Sequence, residues 1–155
     1  IMVWNPFVLQ TLHDRSDTRV LFDSSEIENE IVDMVAIGRD SLAKPGSEKF
    51  LKAVIAIFYR VNEELAGSRG DEVLVALGKK FSNLELDDMK QVVEQTVFYK
   101  TPEEAAALLD GGEFRSVMKL VEKFCVDHGL VTEPSVGYGS SAEGVRLRFD
   151  ASYLK

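Results

Sequence analysis

A chain of 155 residues is long enough for one domain or for two lobes. At 45% apolar and 28% charged it has ordinary globular composition, which excludes disordered, collagen-like and coiled-coil classes. Its longest apolar run, residues 53–59, falls far short of the roughly 20 residues of a membrane span. Eighteen basic residues against 26 acidic ones leave a net charge of −8. That balance argues against a nucleic-acid backbone or an anionic membrane surface as the main partner. A small anion stays open, because a few N–H groups can hold one locally.

The opening, Ile1-Met2-Val3-Trp4-Asn5-Pro6-Phe7, reads as the middle of a domain. It lacks the basic start, apolar stretch and small-residue cleavage site of an export signal. Arg19-Val20-Leu21-Phe22 predicts a strand, stopped by Asp23-Ser24-Ser25. Residues 31–38 (IVDMVAIG) predict a second strand whose near-continuous apolar character suits burial on both faces of a parallel sheet. Residues 1–45 therefore read as a strand-rich segment, and residues 46–155 as helical.

From Ser47 the period becomes helical. Phe50, Val54, Phe58, Val61 and Leu65 fall on one stripe, with Ser47 as N-cap and Gly67 as the stop. Val73, Leu74, Leu77 and Phe81 predict a second helix. Leu86, Met89 and Val93 predict a third, with Glu85, Asp87 and Asp88 at its positive end. Thr101-Pro102-Glu103-Glu104 is a helix start with a hydroxyl cap and proline at the first position, and Gly111-Gly112 ends that helix. Phe114, Val117, Val121 and Phe124 form a last stripe, ending near Gly129. Glycine, serine and proline across 133–144 predict a loop, and the alternation in 145–149 permits a short strand. Two or three strands against about five helices is a deficit for an α/β domain, and it implies that strands are missing from this chain.

No phosphate loop, dinucleotide fingerprint or nucleophile elbow occurs. His13 and His128 lack partners at metal-ligand spacing, so no metal site is expected, and both read as structural or exposed; His128 falls in the last turn of its helix, where a cation is welcome. Cys125, the only cysteine, can form no disulfide within the chain, and late in a helix it reads as a small core residue. Asp23, Glu26, Glu28, Glu30 and Asp33 make an acidic stretch with no base between Arg19 and Arg39. It reads either as a solvated loop or as carboxylate lining for a cationic or donor ligand, with Glu26 the best placed. Trp4, the only tryptophan, is either core or, with Asn5, a platform that stacks on a small ligand and fixes its orientation.

Three segments together carry a resemblance: Trp4-Asn5-Pro6, then Val20-Leu21-Phe22-Asp23-Ser24-Ser25-Glu26-Ile27, then Glu30-Ile31-Val32-Asp33-Met34-Val35-Ala36-Ile37. In this order and with short gaps, they resemble the substrate-binding proteins of nitrate/sulfonate/taurine-type ABC importers, a group with pyrimidine-precursor-binding members. Lys44-Pro45, the 101–110 segment and Phe149-Asp150-Ala151-Ser152-Tyr153-Leu154 are similar to the C-terminal half of that family, so the resemblance covers nearly the whole chain. The sequence departs from it at Glu28-Asn29, where the family commonly has proline and glycine. The resemblance implies an α/β, type II periplasmic-binding-protein fold of which this chain is an incomplete C-terminal portion, with residues 1–45 from the cleft and hinge region. It implies a solute-binding component working with an ABC permease, periplasmic or extracellular, without covalent chemistry or cofactor. By the same layout Trp4 stacks on the ligand, Asn5 and Ser24 or Ser25 hydrogen-bond it, and Glu26 recognises a donor group. The alternatives are a ligand-sensing domain of a membrane receptor, a relative of the pyrimidine-precursor synthases, and a helical interaction domain. Uncovered apolar faces further predict self-association, as a homodimer or larger.

Overall fold

The computed structural model describes residues 3–27 and 29–155, leaving aside the side chains of Phe81 and Ser82. Among the described residues the fold is mixed α/β, with seven α-helices and two short strands. The helices are α1 (Phe7–Asp14), α2 (Arg39–Leu42), α3 (Ser47–Ala66), α4 (Gly70–Leu77), α5 (Leu86–Glu94), α6 (Pro102–Asp110) and α7 (Gly112–Asp127). The strands are β1 (Val136–Tyr138) and β2 (Leu147–Phe149). None of the helices is long and apolar enough to cross a membrane. The chain forms two compact units. The first comprises Ile1–Asp23 and Phe58–Phe98, and the second Ser24–Ile57 and Tyr99–Lys155.

In the first unit α4 runs into a π-helical turn, Gly78–Ser82, and then reverses into α5. The turn ends at Asn83, whose φ of 53° lies in the left-handed region that asparagine tolerates better than most residues. A side chain at Gly78 would meet the Leu84 carbonyl and Met89, so the reversal needs glycine there. Among its described residues Leu9, Tyr59, Leu74 and Leu84 are buried and apolar. Lys90 to Asp71 at 3.1 Å ties α5 to α4, and His13 Nε2 lies 3.6 Å from Asp88.

In the second unit the core is Phe114, 1% exposed at the start of α7. Its ring meets Phe149 edge-on at 5.1 Å and Tyr138 at 6.5 Å, while Tyr138 and Phe149 stack at 5.7 Å. One helix is thereby joined to both strands. The Arg115 guanidinium lies 5.2 Å over the Tyr138 ring. β1 and β2 run parallel, with Val136 opposite Leu147 and Tyr138 opposite Phe149. Only residues 139–146 join them, shorter than the dozen or so residues usual for a parallel connection. The return starts at Gly139, at φ 82°, whose N–H donates to the Phe149 carbonyl at 2.8 Å. Arg39 of α2 donates to the Val145 carbonyl in the same return. α6 packs on a final 3-10 turn, Ala151–Leu154, burying Ala106 and Ala151.

Several expected elements form as read, and several do not. α3 begins and ends where expected, yet the Ser47 hydroxyl does not cap it: it donates to the Ser41 carbonyl at 2.6 Å. The buried residues of α3 are Leu51 and Tyr59, while Phe50 and Phe58 of the expected stripe are exposed. The expected strands at 19–22 and 31–38 do not form. A strand exists only where another backbone completes its ladder, and among the described residues the only paired strands are β1 and β2. Val20, Leu21, Phe22, Ile31, Met34 and Val35 are accordingly exposed. β1 arises inside the expected 133–144 loop, and the short strand in 145–149 is β2. α1 and α2 are further helices that periodicity did not reveal. Met2, Glu28 and the side chain of Phe81 lie outside the described residues.

Two substitutions test this account. Thr101 accepts the Glu104 N–H at 3.2 Å, and the Glu104 carboxylate in turn accepts the Lys100 N–H at 2.7 Å. Thr101→Ala is expected to cost about 1 kcal/mol in urea unfolding, and no loss would show that this cap is idle. A Cβ on the buried Gly137 would stand 2.7 Å from the Ala142 Cβ and 3.0 Å from Val145. Gly137→Ala is expected to cost about 1–3 kcal/mol by overpacking, against near-neutrality if the return loop yields.

Candidate functional site

Trp4 and Asn5 stand at the entry to α1, in the first unit. The Trp4 carbonyl accepts the Val8 N–H at 3.2 Å and the Pro6 carbonyl accepts the Gln10 N–H at 3.0 Å, so the backbone on either side of Asn5 is tied to the first turn of the helix. The Asn5–Pro6 peptide is cis. The Trp4 indole is 71% exposed. Asn5 is half-buried, and its Nδ2 donates to Gln95 Oε1, just past the end of α5, at 3.1 Å. Its Oδ1 is shielded from solvent and accepts no hydrogen bond, an unmade interaction of the kind that costs about 1–3 kcal/mol when water cannot reach it. The pair thus offers an open aromatic face, while the Asn5 oxygen beside it is closed off from solvent.

Ser24, Ser25 and Glu26 form one 3-10 turn in the second unit, closed by the Ile27 N–H donating to the Ser24 carbonyl at 3.2 Å. All three side chains are exposed. The turn presents two hydroxyl-bearing residues and a carboxylate on adjacent positions, a donor-and-acceptor set suited to a polar ligand. Asn29 follows in the left-handed region at φ 61°, and its Oδ1 accepts from the Tyr99 hydroxyl at 3.3 Å. Asparagine here adopts the backbone geometry that glycine takes most easily.

The structure keeps the five expected residues as two local groups, Trp4 with Asn5 and Ser24 with Ser25 and Glu26. Gln95, the partner of Asn5, was missed, since ninety positions separate the two and no pattern links them. Tyr99 and its contact with Asn29 were missed for the same reason. His128 closes α7 and does not join either group: its ring stacks on Phe124 at 4.0 Å, and its Nδ1 lies 3.0 Å from the Phe124 carbonyl. Cys125 is half-buried on the same helix. Among the described residues no three of His, Cys, Asp and Glu converge as metal ligands.

Another polar atom without a hydrogen-bond partner lies in the second unit. The Tyr138 hydroxyl is enclosed by the aromatic core, and burial pushes its pKa above the ordinary tyrosine value; Glu122 adds to the rise and Arg115 opposes it. It remains a neutral phenol at physiological pH. An open groove of about 440 Å³ lies at the start of α3, lined by Gly46, Glu48, Lys49 and Lys52 and by none of the five expected residues.

No family model, no curated protein and no solved structure matches this chain.

The exposure of Trp4 has a direct readout, because it is the only tryptophan. Its emission is expected to be that of a solvated indole, quenched by acrylamide almost as readily as free tryptophan. A blue-shifted emission resistant to acrylamide would remove Trp4 as an accessible platform.

Proposed function

We propose that this chain serves as the solute-binding component of an ABC importer, belonging to a type II periplasmic-binding-protein fold and taking a small polar or ionic molecule. The observation that carries the reading is Trp4 itself. A large aromatic side chain left 71% exposed at the entry to α1 is a face on which a small ligand can stack. The exposed Ser24–Glu26 turn supports it by supplying hydroxyls and a carboxylate for recognition of a donor group. The mixed α/β character is compatible with such a fold, and the ordered resemblance over Trp4–Pro6, 20–27 and 30–37 supports the family.

In this reading binding is non-covalent. In the first unit Trp4 supplies a stacking face, and in the second a serine hydroxyl and Glu26 favour ligands that carry an N–H or a positive charge. Closure on the ligand signals occupancy to a permease, since a ligand shifts a conformational equilibrium only through its greater affinity for the closed state.

A thermal-shift panel of small anions, sulfonates, amines, pyrimidines and amino acids tests the reading. A ligand at a hundred times its Kd stabilises by about 2.7 kcal/mol, a readily visible rise in melting temperature. Trp4→Ala and Glu26→Ala are each expected to weaken that ligand at least tenfold while leaving the unliganded melting temperature near its starting value. A panel without a saturable shift, or a ligand bound equally well by both variants, would overturn the assignment.

A further inference from the structure

We draw no further inference here: the strongest candidate, the exposed apolar patch that Ile31, Met34 and Val35 make on segment 31–35 of the second unit, carries nothing because nothing in the structure shows what covers it.

Discussion

The packing of Phe114 between two strands is the constraint on which the second unit depends. A parallel pair of three-residue strands has almost no stability of its own: it offers few ladder hydrogen bonds and no large face to bury. Here the pair is held because Tyr138 and Phe149 stand opposite each other in register and together receive the ring of Phe114. That ring belongs to the first turn of α7, directly after the Gly111–Gly112 break that lets α6 turn into α7. α6 in turn covers the last turn of the chain, where Asp150 accepts the Ser152 N–H at 3.0 Å and pairs with Arg148 of β2 at 3.1 Å. Removing the Phe114 ring would therefore loosen the strands, the helix that carries it and the C-terminal turn together.

The helices were legible in the sequence and the strands largely were not, for a physical reason. A helix satisfies its backbone within its own segment, so Thr101-Pro102-Glu103-Glu104 and Gly111-Gly112 are enough to bound α6. A strand is defined by its neighbour. Residues 19–22 and 31–38 have the β-branched, apolar composition of strands, but composition cannot supply the second backbone. β1 is the converse case. Val136-Gly137-Tyr138 sits in a run rich in glycine, serine and proline, and becomes a strand because β2 lies beside it and Phe114 beneath it. The face of α3 failed for a related reason: Phe50 and Leu51 fit apolar stripes about one position apart, and only the tertiary neighbours choose Leu51.

The candidate site was legible as residues and not as geometry. Tryptophan next to asparagine, and two serines next to glutamate, can be read from types that carry stacking and hydrogen-bonding capacity. What the sequence could not disclose is that Asn5 spends its amide N–H on Gln95 and leaves its oxygen unpaired, or that Asn29 holds a left-handed turn beside the Ser24–Glu26 group. The first depends on α5 returning to the start of α1, a contact across ninety positions. The second depends on a backbone preference shared by asparagine and glycine, which no pattern in the sequence announces.

The exposed apolar side chains of the second unit and the failure of segment 31–38 to pair have one origin. A segment such as 31–37 is apolar on both of its alternating faces, and a sequence of that kind is stable only where both faces and both backbone edges are covered. Left without a ladder it leaves Ile31, Met34 and Val35 in water, and each buried side chain of that size is worth about 1.5–3 kcal/mol relative to exposure. α3 makes the same demand through Phe50 and Ile57, from a helix that is otherwise well formed. The apolar residues that composition assigns to a core are therefore divided between a small core built on Leu51, Ala106, Phe114 and Ala151 and a larger set facing outward from the same unit. The Ser24–Glu26 turn makes no such demand, because its exposed groups are polar and water satisfies them.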